Sequence, residues 1–390
     1  MLLKIPLAWL QLARQRVRFI VALAGIAFVV VLMFMQLGFQ DALYESATQV
    51  HQKLKGDLFI ISSQYKSLTS QQSFPRSRLY QVLGFEGVES VSPLYVQFSK
   101  FKNPENGEKN PIYVLGVDPA FPAFDLPEVA QNLDVLKFPN RVLFDQASRP
   151  EFGPVVENFH QNEPVSVEIF PYNGTVGYQV NVGGLFTLGP SFGVDGNLIV
   201  NYATILRVFQ DRTPDRIDIG IVTLKPGADV KQMQAALTKI LPNDVKVFTR
   251  REYMAFEKDY WSVRTPIGFV FSLMVFMGFV VGVVVVYQIL YSNISNHLME
   301  YATLKAMGFK NKYLLDVVFQ QALLLAILGY IPGLIVSYGL YDIASNATQL
   351  PVIMSPNKLL AVLVSATLMC FTSGFFSIGK LRSADPADIF

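Results

Sequence analysis

Four apolar runs constrain this chain more than any other feature of its sequence. They cover residues 19–39, 267–290, 317–340 and 359–378, and none of them contains Asp, Glu, Lys or Arg. A helix needs about 20 apolar residues to cross the hydrocarbon core of a bilayer. Charged residues make up only 16% of the chain, against about 25% in soluble domains. The sequence therefore predicts an integral membrane protein with four transmembrane helices.

The positions of Lys and Arg around these runs predict the orientation of the chain. They lie in three groups: Lys4, Arg14, Arg16 and Arg18 before the first run, Lys305, Lys310 and Lys312 between the second and third, and Lys380 and Arg382 after the fourth. The connection between the third and fourth runs, 341–357, has none. Because cytoplasmic segments carry the excess of Lys and Arg, we expect both termini to be cytoplasmic.

These features divide the chain into consecutive segments. We predict a cytoplasmic amphipathic helix (1–18), a first transmembrane helix (19–40), an extracytoplasmic domain (41–263), a second transmembrane helix (264–290), a cytoplasmic loop (291–315), a third transmembrane helix (316–340), a short external loop (341–357), a fourth transmembrane helix (358–379) and a cytoplasmic tail (380–390). Leucines among the basic residues favour an interfacial helix at the start. A simple basic flank is the alternative there.

The large external segment has the patterns of an α+β domain. We expect 41–118 and 215–263 to form an α/β subdomain, because apolar strand patterns alternate there with a helix that has one apolar face. The middle, 119–214, is rich in Pro, Gly and aromatic residues and predicts an inserted, mostly-β subdomain. The individual elements predicted are strands at 57–62, 88–98, 111–117, 165–170, 178–186, 197–200, 216–224 and 245–248, and helices at 77–83, 202–209, 229–241 and 249–261.

No pattern typical of an active site occurs in the sequence. The single cysteine, Cys370, excludes an intrachain disulfide and a cysteine-rich metal site. Residues 374–381 approach the phosphate-binding pattern G-x-x-x-x-G-K-[ST], but Leu381 replaces the hydroxyl residue that binds magnesium, and no strand precedes the pattern. We therefore expect no catalytic residue, metal or cofactor in this chain, with ATP and Mg held by a separate subunit. A formal net charge of +2 does not indicate binding of nucleic acid.

The cytoplasmic loop 291–315 is the most informative short segment. Asn296 is suited to cap the start of a helix, and Gly308 is well placed to end one. Tyr301, Leu304 and Gly308 recur at helical spacing, which predicts a short helix with an apolar face. Such a helix beneath the membrane is suited to docking a partner. The alternative is a solvated basic loop that only follows the distribution of positive charge.

Residues 300–308, EYATLKAMG, resemble the E-x-x-x-L-[RK]-A-[LM]-G signature of the FtsX/MacB superfamily of ABC-transporter permeases. The segment 384–389, ADPADI, resembles the closing tail of that family. The 1+3 arrangement, with a large external domain after the first transmembrane helix, is also similar. The resemblance implies a porter-like α/β part in the external domain and a coupling helix that contacts an ABC ATPase. The residues that it assigns to this contact are Glu300, Tyr301, Leu304, Lys305, Ala306, Met307 and Gly308.

Within the superfamily the chain is most similar to the cyanobacterial DevC-type permeases, which lack a fused ATPase domain. The opening segment 5–12, IPLAWLQL, and residues 301–309, YATLKAMGF, carry this similarity. It implies a homodimer in the inner membrane that works by mechanotransmission with a separate ATPase, a membrane-fusion protein and a TolC-like outer-membrane channel. The implied substrate is a lipid, a glycolipid or another molecule taken up from the periplasmic side.

Other functions stay open from the sequence alone. An FtsX-like transducer, which regulates a periplasmic partner without transport, shares this topology but usually has a smaller outer domain. A secondary transporter or receptor is disfavoured because the apolar runs contain no ionisable side chain, which ion-coupled transporters usually need.

Glycines at two positions of the third run form a G-x-x-x-G pattern. These are Gly329 and Gly333, and Pro332 beside them is expected to kink the helix. The pattern fits either a dimer seam or packing within one chain, and we favour the second.

Overall fold

The computed structural model of the chain describes residues 8–9, 16–70 and 72–382. Two compact units are present. The membrane unit comprises residues up to 42, 267–348 and those from 352 onward, and the sheet unit comprises 43–266 and 349–351. Most of the predicted helix 1–18 and most of the predicted tail 380–390 lie outside the described residues.

Helices and strands are numbered along the chain. The helices are α1 (Arg16–Lys53), α2 (Ser77–Val82), α3 (Pro127–Gln131), α4 (Leu133–Leu136), α5 (Val155–His160), α6 (Tyr202–Val208), α7 (Val230–Ile240), α8 (Arg250–Asp259), α9 (Pro266–Asn296), α10 (Leu298–Ala306), α11 (Asn311–Thr348) and α12 (Pro356–Arg382). The strands are β1 (Leu58–Ser62), β2 (Phe74–Pro75), β3 (Val88–Lys102), β4 (Lys109–Val117), β5 (Arg141–Asp145), β6 (Ser166–Pro171), β7 (Tyr178–Phe186), β8 (Gly196–Asn201), β9 (Arg216–Ile217), β10 (Ile219–Leu224) and β11 (Val245–Thr249).

Four helices within the described residues are long and apolar enough to cross a membrane, namely α1, α9, α11 and α12. This confirms the four transmembrane helices predicted from the sequence. Each of them extends beyond its apolar run, because a helix continues into polar sequence that hydropathy does not detect. The predicted external loop 341–357 is accordingly helical as far as Thr348.

The glycine pattern of α11 packs against α1 within one chain. A Cβ atom added at Gly329 would lie 2.6 Å from Cγ2 of Ile26, and one added at Gly333 would lie 2.7 Å from Cγ1 of Val30. Small residues let helices approach this closely, and van der Waals packing at such contacts contributes to helix association in lipid. The preference for packing within one chain is therefore confirmed.

Lys358 of the membrane unit is a buried lysine. Lys358 lies in the first turn of α12, and its Nζ lies 3.1 Å from Oδ2 of Asp41 on α1. The same Nζ donates a hydrogen bond of 2.7 Å to the carbonyl oxygen of Ile353. A charged group this close to hydrocarbon requires partners, and here the partners join α12 to α1.

The sheet unit contains a mixed sheet that closes on itself. Among the described residues nine strands follow the order β11-β1-β10-β3-β4-β8-β5-β7-β6. The first half of β3 pairs with β10, and its second half pairs with both β4 and β6. Strands β3, β4, β8, β5, β7 and β6 thus form a closed ring, in which no strand has an open edge.

The ring contains strands from both predicted subdomains. Strands β3 and β4 precede residue 119, and β5 to β8 follow it, so the ring includes strands from both sides of the predicted boundary. Strand patterns in a sequence do not reveal which strands pair, so the sequence does not show that β3 and β4 join β5 to β8 in one ring. The α/β part consists of β11, β1, β10 and the first half of β3 with α2 and α7.

Two apolar cores hold the sheet between layers of helices. Strand β1 is buried along its whole length. Leu58 and Ile60 join one core, and Phe59 and Ile61 join the other, because successive side chains of a strand point to opposite faces.

Candidate functional site

The short helix α10 lies in the loop that the sequence marks as a docking element. Helix α9 runs through Asn296, and His297 is the residue before α10. The predicted cap at Asn296 is therefore wrong, because α9 continues beyond its apolar run. Nδ1 of His297 instead lies 3.0 Å from Oε2 of Glu300 in the first turn.

Gly308 ends α10, as the sequence predicts. Its φ angle is +89°, and the N–H of Gly308 donates to the carbonyl of Lys305 at 2.9 Å. The N–H of Phe309 donates to the carbonyl of Leu304 at 3.1 Å. These two bonds define a Schellman motif, in which a residue with positive φ satisfies the last carbonyls of a helix.

One face of α10 is fixed to the membrane unit. Tyr301 is 1% exposed and Ala302 is fully buried. Tyr301 belongs to an apolar cluster with Ile294 of α9 and Val318 of α11, and Leu304 packs against that cluster from its edge. Tyr301, which the resemblance assigns to partner contact, thus holds the helix in place. Leu304 and Lys305 are half-buried.

The opposite face of α10 is open. Met299 is 65% and Met307 69% exposed, and Thr303 and Ala306 between them are exposed as well. We call Met299, Thr303, Ala306 and Met307 the exposed strip. Glu300 is 47% exposed beside it, and Gly308 follows it. The residues assigned to partner contact from the sequence do not include Met299 and Thr303. Their helical spacing relative to Ala306 and Met307 is the signal that places them on the same face.

Replacing Gly308 with valine is expected to unwind the last turn of α10. A β-branched residue at positive φ costs about 1–2 kcal/mol. We expect the amides of residues 308 and 309 to exchange hydrogen about tenfold faster, measured by mass spectrometry on the full chain. Ala306→Val is the control, because it adds the same side chain to the same turn at an ordinary helical position. Equal protection in both variants would contradict the assigned motif.

A cluster of polar side chains is buried in the sheet unit. It joins three segments: His51 of α1, Tyr65 and Leu68 of the loop after β1, and Glu257 of α8. Glu257 accepts hydrogen bonds from the hydroxyl of Tyr65 at 3.0 Å and from the N–H of Leu68 at 3.1 Å. It also accepts one from Nε1 of Trp261 at 3.1 Å. These partners are far apart in sequence, and sequence reasoning did not find them.

Burial dominates the electrostatics of this cluster. His51 and Glu257 are each 1% exposed, with Nε2 of His51 3.6 Å from Oε2 of Glu257. Desolvation lowers the pKa of His51 to about 3. Desolvation raises the pKa of Glu257 to about 7, opposed by the hydrogen bonds from Leu68, Trp261 and Tyr65. His51 is thus neutral near neutral pH, and Glu257 titrates there.

The features above define a class of protein. The chain is a membrane protein with four apolar helices, a short helix that exposes an apolar strip, and a large mixed-sheet unit. Within the described ranges, no group of three His, Cys, Asp or Glu side chains is placed to hold a metal ion.

Comparison with known families identifies the chain. Residues 19–240 match the MacB-like periplasmic core domain, and residues 272–386 match the FtsX-like permease C-terminal domain. The chain belongs to the family of MacB/FtsX-type permeases. Members of this family are multi-pass inner-membrane permease subunits of type VII-like ABC systems, not enzymes themselves, and the family implies partnership with an ABC ATPase.

Similar solved structures cover the sheet unit. The periplasmic region of MacB from Actinobacillus actinomycetemcomitans is 14% identical, with a TM-score of 0.34, over 51% of this chain and 91% of that one. The extracellular domain of the noncanonic ABC-type transporter YknZ from Gram-positive bacteria is 16% identical, with a TM-score of 0.32, over 50% and 99%. A domain of a putative permease protein from Porphyromonas gingivalis is 16% identical, with a TM-score of 0.33, over 53% and 98%. No curated protein matches the chain significantly.

Proposed function

We propose that this chain is the permease subunit of a mechanotransmission exporter and that α10 is its coupling helix. A separate ATPase would hold ATP and Mg, and its closure would be transmitted through α10 to the membrane helices. The chain itself would hold no cofactor. The proposal takes the termini to be cytoplasmic and the transmembrane helices to follow the 1+3 arrangement.

The exposed strip is the observation that carries this proposal. Helix α10 is fixed on one side by Tyr301 and Ala302 and stopped at Gly308, so its position is defined before any partner binds. Its other side presents Met299 and Met307, and unbranched methionines adapt well to a partner surface. A preformed apolar strip on a fixed helix is suited to a groove on another protein.

The remaining parts of the proposed assembly rest on the similarity to DevC-type permeases. We expect a homodimer that works with a membrane-fusion protein and a TolC-like channel in a cyanobacterium. The substrate proposed is a lipid or glycolipid that enters from the periplasmic side. The largely apolar character of the membrane helices supports a route that does not need a polar pore.

Replacing Met307 or Met299 with aspartate is expected to release the ATPase. A carboxylate placed in an apolar contact loses several kcal/mol through desolvation. We therefore expect affinity to fall at least about tenfold in co-purification of the full-length permease with a candidate ABC ATPase. Both side chains point away from the core of the membrane unit, so the variants are expected to fold.

Met354→Asp provides the matched control. Met354 lies in the segment between α11 and α12, far in the chain from α10, and is only partly exposed. We expect this variant to retain the ATPase at the wild-type ratio. Retention of the ATPase by both α10 variants would refute the coupling role of the strip, whereas loss in all three would indicate a general defect of folding.

A further inference from the structure

A groove of about 320 Å³ lies between the beginning of α1 and the end of α9. One wall consists of Val17, Arg18 and Val21 of α1. The other wall contains Gln288, Ser292 and Asn296, which recur at i, i+4 and i+8 and so form one stripe along α9. The stripe extends for about 12 Å at the rise of an α-helix.

The polar stripe is exposed on a membrane helix. Gln288, Ser292 and Asn296 are all exposed, although polar side chains on a lipid-facing surface are costly unless they find polar partners. Tyr287 and Tyr291 lie beside the stripe, with ring centroids 5.6 Å apart. Tyrosines concentrate at the level of lipid headgroups, so this end of α9 lies at the depth where phosphate groups occur.

The chemistry of the groove fits an anionic phospholipid. Arg18 supplies a guanidinium, which binds phosphate oxygens in a bidentate manner, and the amides and hydroxyl of the stripe supply further donors. Val17, Val21 and Ile289 supply apolar surface for the start of an acyl chain. Among the described residues that line the groove, none has an acidic side chain.

A second copy of the chain fits this groove less well. A twofold contact would bring the same surface of both copies together. Both copies would then bring an Arg18 side chain into one interface whose described lining has no acidic side chain, and uncompensated like charges weaken an interface. Charge therefore favours a lipid over self-association.

We propose that the groove between α1 and α9 is a binding site for a phospholipid with an anionic headgroup. The lipid would join the two helices at their polar ends. Beyond the groove, α1 and α9 pack closely at Gly25, where an added Cβ atom would lie 3.2 Å from Cδ1 of Ile289. The site would make the contact between α1 and α9 sensitive to the lipid composition of the leaflet. This proposal does not depend on the ATPase contact of α10.

The test uses the full-length protein in detergent with equal amounts of phosphatidylglycerol and phosphatidylcholine. Native mass spectrometry measures which lipid is retained. We expect preferential retention of phosphatidylglycerol and a loss of about tenfold in Arg18→Gln, since a charged hydrogen-bonding partner is removed. Ser292→Trp, which fills the groove, is expected to reduce retention of both lipids.

Arg16→Gln is the matched control, because Arg16 is an exposed arginine in the same turn that does not line the groove. We expect it to retain phosphatidylglycerol like the wild type. An equal loss in Arg16→Gln would mean a diffuse effect of surface charge and would overturn the proposal. So would equal retention of the two lipids, or complete displacement by glycerol phosphate, which would indicate a site for free phosphate. Cross-linking of two copies through Ser292→Cys would show that protein covers the groove.

Discussion

Gly333→Leu is expected to remove most of the folded protein. A Cβ at this position would lie 2.7 Å from Cγ1 of Val30 and 3.0 Å from the carbonyl oxygen of Ala27 on α1. Real Cβ contacts are not that short, so α11 would have to move away from α1. Forced overpacking of this kind costs about 3 kcal/mol or more where backbone must shift. The same replacement at Gly329 meets Ile26 at 2.6 Å and is expected to act similarly.

The measurement is the fraction of full-length protein that stays monodisperse in detergent after a series of heating steps. Gly339→Leu is the control, because Gly339 is in the same helix and a Cβ added there meets nothing within 4 Å. We expect the control to match the wild type while Gly333→Leu fails at a clearly lower temperature. If the two variants had equal stability, the pattern would not pack against α1, and a dimer seam would become the better explanation.

The sequence predicts the membrane unit well because its signal is local. An apolar run of sufficient length is nearly decisive for a membrane helix, and all four runs lie in helices that qualify by length and hydropathy. The ends of these helices are less predictable, because polar residues such as those of 341–348 continue α11 without an apolar signal. The predicted strand 178–186 also has the bounds of β7, since its residues alternate between more and less buried positions.

The parts that sequence reasoning missed depend on contacts between distant residues. Strand β5 is only Arg141–Asp145, and it is placed by pairing with β7 and β8. On α10 the pattern predicts a helix and its end at Gly308. It does not reveal which apolar face is buried, because Tyr301 and Met307 are both apolar enough for either role. Only the packing of Tyr301 on α9 and α11 decides this.

Glu257→Gln is expected to make the stability of the sheet unit depend strongly on pH. In the wild type two buried groups oppose each other. The pKa of His51 is lowered from 6.5 to about 3, so between these values the unfolded chain binds more protons and stability rises with pH. The pKa of Glu257 is raised from 4.5 to about 7, so between these values the folded chain binds more protons and stability falls with pH.

The two slopes cancel where the windows overlap, between pH 4.5 and 6.5. Removing the carboxyl leaves the contribution of His51, so the stability of Glu257→Gln relative to the wild type is expected to rise by about 1.4 kcal/mol per pH unit. Over the overlap this amounts to about 3 kcal/mol. Glutamine fits the site, because its amide oxygen accepts from Leu68 and Trp261 while its NH₂ donates to the hydroxyl of Tyr65.

The opposite slope is expected when the histidine is removed. His51→Asn leaves only Glu257, so the stability of this variant should fall from pH 4.5 to about 7. Relative to the wild type its stability should fall between about pH 3 and 6.5, where the wild type has the opposing contribution of His51. Denaturant midpoints of the full chain at several pH values measure both slopes through the fluorescence of Trp261, with Trp9→Phe removing the other tryptophan. Parallel pH profiles in all the variants would mean that the pKa values of both groups are the same in the folded and the unfolded chain, and the assignment of a buried neutral histidine beside a buried carboxyl would then be wrong. Opposite slopes would establish that α1 and α8 meet at a site whose charge changes near neutral pH.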